Sequence, residues 1–199
     1  MSDTVHYDVP YPAQLNRVTT LLRIFMLIPH MIVLAVLGVC MEVVTVIAWF
    51  AILITGKYPR GMWDFSLSVA RYAARVSSYG ALLRDEYPPF GGGGDYPLQY
   101  ELAYSEPMNR LSTLLRIIYA IPHIIVLYLL GIALEVITFI AWWAILFTGK
   151  YPQGMFTFAV GVSRWQQRAS AYVLLLTDAY PPFSMEPGPA APGYATGMA

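Results

Sequence analysis

The sequence predicts an all-α integral membrane protein of two tandem repeats, each an apolar helical hairpin followed by an amphipathic interfacial helix. Three observations lead to this fold class. The 199 residues are 57% hydrophobic and 12% charged, against roughly 45–50% and about 25% in average soluble domains. Two long stretches carry almost no charge. The chain also repeats itself at a fixed offset, and the two apolar stretches occupy equivalent positions in the two copies.

The duplication sets the domain organisation. An offset of 93 residues aligns positions 17–90 with 110–183 without a gap, and 43 of the 74 aligned pairs are identical. Identity at this level indicates a duplicated module. The lead-in repeats weakly, as HYDV at 6–9 and QYEL at 99–102. We therefore expect four regions: membrane module 1 at 1–90, a Gly-rich linker at 91–97, membrane module 2 at 98–183 and a disordered Pro/Gly/Ala tail at 184–199.

Each apolar run has an ambiguous length. Glu42 is the only charged residue between Ile24 and Thr55, and Glu135 plays the same part between Ile117 and Thr148. About 20 helical residues cross a bilayer core of about 30 Å, so these 32 residues are long for one span and short for two. Three arrangements are open: a helical hairpin that begins near Arg17, one long tilted helix per module, or a re-entrant hairpin that enters the membrane and returns.

The placement of basic residues favours the hairpin. All 12 lysines and arginines lie outside the apolar runs. Short loops that carry Lys and Arg stay on the cytoplasmic side, and a hairpin keeps both flanks of each run on that side. We therefore expect a multi-pass protein of the cell membrane with four spans, two being possible. Both termini are then cytoplasmic and the two modules are parallel. The turn begins at Gly38, and Gly56 caps the return helix.

The segment after each apolar run has helical periodicity. Large apolar residues recur at steps of three and four from Met62 to Leu83, which is typical of one helix face. The opposite face carries Arg71 and Arg75 in module 1, and Arg164 and Arg168 in module 2. Such a helix suits the membrane interface, where guanidinium groups meet lipid phosphates. We expect the YPPF motif, at 87–90 and 180–183, to end it.

Two sets of side chains are candidate functional residues. Ionisable groups inside a membrane are candidates for proton or ligand handling, and these are His30, Glu42, His123 and Glu135. The alternative for each is a structural role, either as a hydrogen-bonded histidine or as a carboxylate that reaches the headgroups. Candidate contacts to lipid headgroups or partners, against the alternative of a solvated face, are Arg23, Lys57, Arg71, Arg75, Arg116, Lys150, Arg164 and Arg168.

The remaining composition argues against several classes of function. Formal net charge is zero, so no electrostatic attraction to nucleic acid is expected. The single cysteine, Cys40, excludes an intrachain disulfide, and no metal-ligand cluster or catalytic constellation is recognisable. The TGK string at 55–57 lacks the upstream glycine of a phosphate-binding loop. We expect no catalytic residue, no metal, no cofactor, no enzymatic activity and no removable secretory signal before the first apolar run.

The motifs taken together resemble a known family. IPH, AWFAILITGKYPRGMWDF with its copy AWWAILFTGKYPQGMFTF, the paired arginines and the closing YPPF are similar to bacterial membrane proteins grouped as domain of unknown function 4389. The first module departs from the pattern, with Tyr72 where Trp165 stands in the second. The resemblance implies membrane location and a repeated module but no activity.

These features support two hypotheses about function. The first is a non-enzymatic scaffold or accessory subunit that contacts the lipid bilayer and binds other membrane proteins, anionic lipid or a second copy of itself. The second is a small transporter or channel that uses the intramembrane His and Glu, because duplicated modules are common in transporters.

Overall fold

The computed structural model describes residues 5–91 and 96–187. Within them are four helices and two short strands: β1 (His6–Asp8), α1 (Arg17–Thr55), α2 (Arg60–Gly80), β2 (Gln99–Glu101), α3 (Arg110–Thr148) and α4 (Gln153–Val173). Most of the expected glycine linker, at 92–95, and of the expected disordered tail, at 188–199, lies outside the described residues. The all-helical architecture in two repeats is thus confirmed, with a small sheet in addition.

The apolar runs form two unbroken helices. Helices α1 and α3 each contain 39 residues and are therefore about 58 Å long at 1.5 Å per residue. Gly38 and Gly131 lie inside these helices, so the expected turn at Gly38, and with it the count of four spans, is wrong. The physical reason is that residues 31–41 carry no side-chain oxygen that could satisfy the backbone of a turn, whereas a helix satisfies its own backbone. By length and composition, both helices are able to cross a membrane.

The ends of these helices are encoded locally. The side chain of Asn16 accepts hydrogen bonds from the N–H groups of Val18 and Thr19, which is a standard N-cap. At the other end Gly56 has φ of 75° and donates its N–H to the Ile52 carbonyl at 2.7 Å. This is the left-handed cap expected from the sequence. Equivalent residues cap α3.

The two long helices pack antiparallel. Trp49, near the end of α1, donates its Nε1–H to the carbonyl of Thr113 at the start of α3, at 3.2 Å. Trp142, near the end of α3, donates in the same way to Thr20 at 3.0 Å. The expectation of parallel modules is therefore wrong. Because equivalent residues make reciprocal contacts, a pseudo-twofold axis relates the modules.

The strands lie on this axis. β1 and β2 are antiparallel with Tyr7 opposite Tyr100, which are equivalent residues of the two lead-ins. Each strand is held by a helix of the other module: Arg71 donates its Nε–H to the Tyr100 carbonyl at 3.1 Å, and Arg164 does the same to Tyr7 at 3.0 Å. The lead-in segments therefore exchange between modules and link them.

The symmetry divides the molecule into layers. A twofold axis that exchanges two antiparallel, side-by-side helices is perpendicular to the plane that contains them. The strand pair on that axis lies on one side of the plane, and α2 and α4, which hold the strands, lie on the same side. We call α1 with α3 the apolar layer, and α2, α4, β1 and β2 the polar layer. Within the described residues, one face of the molecule therefore consists of the apolar layer alone.

Helices α2 and α4 are more buried than their expected place at a membrane interface requires. Ten of the 21 residues of α2 are buried, and these include the aromatic residues Trp63, Tyr72 and Tyr79. The helix ends at Gly80, well before YPPF, because Leu82 takes the left-handed conformation with φ of 62°. The N–H of Leu83 then donates to the Ser78 carbonyl at 3.0 Å, which closes the last turn. The expectation that YPPF ends this helix is wrong.

Candidate functional site

A buried arginine lies where each long helix meets its amphipathic partner. The side chain of Arg23 is 2% exposed and donates hydrogen bonds to the carbonyls of Tyr79 and Arg84, at 2.8 and 2.9 Å. It also forms an ion pair with Asp85 at 2.5 Å, and its guanidinium carbon lies 4.4 Å from the Tyr79 ring centroid. The charge is thereby neutralised inside the protein, so Arg23 holds the end of α2 on α1.

Module 2 repeats this arrangement. Arg116 donates to the carbonyls of Tyr172 and Thr177, at 2.7 and 2.9 Å, and pairs with Asp178. Sequence reasoning singled out both arginines as contacts to lipid or partners, whereas their polar atoms point inward. It missed both aspartates. The sequence does contain a signal for them, because Asp85 and Asp178 occupy equivalent positions in the two repeats.

His30 and His123, which belong to the IPH motifs, pack against the YPPF motif of the same module. His30 Nδ1 lies 2.6 Å from the Tyr72 hydroxyl, and its ring stacks on Phe90 with centroids 4.6 Å apart. His123 stacks on Phe183 at 4.0 Å and accepts a hydrogen bond from Trp165 Nε1 at 3.0 Å.

The IPH motif is therefore the docking point for YPPF. The difference between Tyr72 and Trp165 is conservative, because each forms a hydrogen bond with Nδ1 of the histidine in its own module. In both copies the Nε2 atom is buried and has no hydrogen-bond partner among the residues that the structure describes.

The two glutamates lie elsewhere. Glu42 and Glu135 are exposed on α1 and α3, twelve residues from the histidines, which is about 18 Å along a helix. Glu135 also lines an apolar cleft between α1 and α3 of about 490 Å³, whose inner wall includes Arg23 and Thr20. A cleft of about 400 Å³ lies at the equivalent place around Arg116. Within each module, the structure therefore does not bring His and Glu together.

The other candidate arginines hold the polar layer together. Arg164 pairs with Asp8, and Arg168 donates to the Glu186 carbonyl at 2.8 Å. Burial lowers the pKa of Arg168 from its ordinary value, and the neighbouring Arg164 lowers it further. Burial also lowers the pKa of Arg75, whose guanidinium carbon lies 5.6 Å from the Tyr96 ring centroid. These side chains fix strands and terminal segments to α2 and α4.

Two lysines mark the ends of the apolar layer. Lys57 follows the α1 cap, is 64% exposed and pairs with Glu106 at 3.3 Å. A hydrogen bond from Tyr104 and the ion pair with Lys57 lower the pKa of Glu106 from its ordinary value. Lys150 is the exposed equivalent after α3. Among the candidate lysines and arginines, Lys57 and Lys150 are the most exposed to solvent.

The comparisons with known proteins identify the repeated module. The family described as Domain of unknown function (DUF4389) matches residues 17–91 and again residues 110–185. No curated protein and no solved structure matches the chain. The two matched segments coincide with the two copies of long helix, amphipathic helix and YPPF segment described above. The chain therefore belongs to the DUF4389 family and contains two tandem copies of its domain.

Proposed function

We propose that this protein is a non-enzymatic scaffold or accessory subunit of the cell membrane that binds other membrane proteins or anionic lipid. The observation that supports this is the surface of the apolar layer. In each of the four heptads from Thr20 to Ile47, four positions are exposed, and Glu42 is the only polar residue among these 16. An exposed apolar surface of this extent is typical of a membrane or protein interaction site.

The internal bonding of the polar layer supports a role in binding rather than in chemistry. Its arginines donate to backbone carbonyls and aspartates of the protein itself, and so stiffen a polar surface on the opposite side of the molecule from the apolar face. Within the described residues, no group of three His, Cys, Asp or Glu side chains is placed to hold a metal ion. The exposed Lys57 and Lys150 suit anionic headgroups.

Membrane attachment is tested by charging the apolar face. Val36 and Leu129 are equivalent residues, each 62% exposed, so lysine at both leaves the packing intact. Replacing an apolar side chain that lipid covers loses the free energy of its burial, about 1.5–3 kcal/mol for Val or Leu, and each 1.4 kcal/mol is about tenfold in affinity. We expect partition into phosphatidylcholine–phosphatidylglycerol vesicles to fall at least about tenfold.

The matched control for this test places lysines on the polar layer, at the exposed residues Ser68 and Gln99, and it is expected to partition like the unaltered protein. Circular dichroism checks that helix content is unchanged in both variants. Equal partition of the Val36→Lys/Leu129→Lys variant and the control would contradict the proposed attachment.

The scaffold role is tested by isolating the protein with its surrounding bilayer in lipid nanodiscs. A membrane protein or an anionic phospholipid at reproducible stoichiometry is the expected result. Recovery of the protein always alone, as a monomer without enriched anionic lipid, would contradict it.

A small transporter or channel is a second candidate, favoured by the inverted relation of the two modules, which is common in transporters. It is weakened by the separation of His30, packed against Tyr72 and Phe90, from the exposed Glu42. Proton or ion flux in proteoliposomes tests it. Flux that is unaffected by His30→Ala with His123→Ala and by Glu42→Gln with Glu135→Gln would exclude these residues as the pathway.

A further inference from the structure

We propose that the apolar layer lies flat in a single leaflet, with α1 and α3 parallel to the bilayer plane, and that neither helix crosses the membrane. This inference rests on the proposed membrane function and adds the orientation of the protein to it. The ligand of the apolar face is then the boundary between headgroups and acyl chains of one leaflet.

The position of the strands is the first argument. The reciprocal contacts of Trp49 and Trp142 place the pseudo-twofold axis near the middle of both long helices, and β1 and β2 lie on that axis. If the helices crossed the bilayer, the axis would lie in its midplane. Asp8, with a side chain 46% exposed, and the strand ends would then lie at the level of the hydrocarbon centre. A charged group at that depth costs several kcal/mol.

The length of the helices is the second argument. Exposed apolar side chains extend from Val18 to Ile54, which is about 55 Å along a helix. A hydrocarbon core of about 30 Å would accommodate this length only at a tilt of about 60°, outside the usual range of about 0–40°. A helix that lies in the plane has no such limit.

The glutamates are the third argument. Glu42 is exposed about 9 Å from the middle of α1, and within the described residues neither it nor Glu135 forms an ion pair. In a crossing helix its carboxylate would face hydrocarbon. In a flat helix, buried by only about 5–10 Å, it can reach the headgroup region.

The distribution of basic residues is the fourth argument. Arg17 lies beside Gly149 and Lys150 at one end of the apolar layer, and Arg110 lies beside Gly56 and Lys57 at the other. A crossing pair would place one basic cluster on each side of the membrane. A flat pair keeps all 12 lysines and arginines on the side from which it binds, which is the distribution that short basic loops favour.

A lipid leaflet covers this surface better than a second copy of the chain. The exposed positions b, c, e or g, and f of each heptad span about 180°, or half of the helix circumference, so they face sideways as well as outward. Another rigid apolar face would cover only the outward part, whereas acyl chains can also fill the sides.

Depth measurements along α1 test the orientation. In a Cys40→Ser background, single cysteines replace the exposed residues Phe25, Val36 and Ile47, which are 11 residues apart on one face. Each carries an environment-sensitive fluorophore and is quenched by shallow or deep spin-labelled lipid in phosphatidylcholine–phosphatidylglycerol vesicles. We expect the same shallow depth at all three, and no quenching of a fluorophore at Gln99 on the polar layer.

Crossing helices give a different result: Val36 would be deepest, with Phe25 and Ile47 near opposite surfaces. That pattern would overturn the flat orientation and leave the membrane function standing. Unquenched fluorophores at all positions, with the protein in the aqueous fraction, would overturn both. A tight dimer that shields all three positions from quenching would favour a second copy as the ligand.

The sidedness of the helix ends provides an independent readout. Cysteines at Arg17 and at Lys57, tested separately, are both expected to react with an impermeant maleimide added to one side of sealed vesicles. Reaction of one and protection of the other, reversed when the reagent is enclosed, would establish a crossing and overturn the proposal.

Discussion

At the scale of single residues, the repeated motifs are explained by contacts between them. Arg23 in the first turns of α1 pairs with Asp85, and His30 packs on Phe90. Burying a polar side chain such as that of Arg23 without a partner costs much free energy, and burying it together with its partner costs less. These residues therefore attach the long helix α1 to the segment that follows α2. Their role is better explained as structural than as that of a reactive centre.

Removing one member of the buried pair should destabilise the protein. Asp85→Ala leaves the 2% exposed Arg23 without its counter-charge, and breaking a buried pair costs about 3–5 kcal/mol. Since Asp85 is itself 25% exposed, we expect a loss near about 3 kcal/mol in the free energy of unfolding, measured with denaturant in mild detergent.

The control for this prediction is Asp64→Ala, which removes an exposed pair with Arg60 and should change stability by less than about 0.5 kcal/mol. A double variant, Arg23→Met with Asp85→Ala, should recover part of the loss because no buried charge remains unpaired. An equal, small effect of both single substitutions would contradict the structural role of the pair.

At the scale of elements, a glycine inside α1 and a glycine at its end have opposite effects on the helix. Gly38 lies in the middle of the helix, and a Cβ there would meet no atom within 4 Å. Gly56 has a φ of 75°, at which a residue with a Cβ is strained. The strain is not due to crowding, because the nearest atom to such a Cβ would be 3.6 Å away on Arg110. The first glycine weakens a helix, and the second is required to end it.

Alanine substitutions separate these two roles. Gly38→Ala should stabilise the protein by about 0.5–1 kcal/mol because alanine is the better helix former. Gly56→Ala should destabilise it by about 1–2 kcal/mol, the cost of a left-handed L-residue. Thermal unfolding followed by circular dichroism measures both. Destabilisation by Gly38→Ala would indicate a turn at that residue and contradict the continuous helix.

At the scale of the whole molecule, two copies of one sequence form an inverted pair. Equivalent residues meet across the pseudo-twofold axis, as Tyr7 meets Tyr100, and each end of one long helix contacts the opposite end of the other. Each copy therefore depends on the other, because its strand is hydrogen-bonded to the amphipathic helix of the other module.

Cross-linking tests the inverted arrangement directly. In a Cys40→Ser background, Arg17→Cys with Lys150→Cys places two thiols at the same end of the apolar layer, and a short bis-maleimide should join them. Digestion between the modules followed by electrophoresis detects the linked halves. Arg17→Cys with Arg110→Cys, which are equivalent positions, should not cross-link. Efficient linkage of only the second pair would show that the modules are parallel.

Much of the architecture can be predicted from the sequence because it depends on local patterns. The 93-residue repeat, the apolar runs, the cap at Gly56 and the amphipathic segments after TGKYP each depend on neighbours along the chain. The candidate residues His30, Glu42 and their copies are also visible as exceptions in apolar sequence. What they contact is not visible, because Asp85, Tyr72 and Phe90 are distant in sequence.

The sequence by itself determined that two homologous membrane-type modules exist and that the first long helix ends at the Gly56 cap, since helix formation and capping are local. Only the tertiary structure decided that each apolar run is a single helix, and that the two are antiparallel with α2, α4 and both strands on one side. Those properties follow from side-chain packing across the pseudo-twofold axis. Charge placement along the chain is equally consistent with two hairpins and with one flat pair of helices, because both keep every basic residue on the same side.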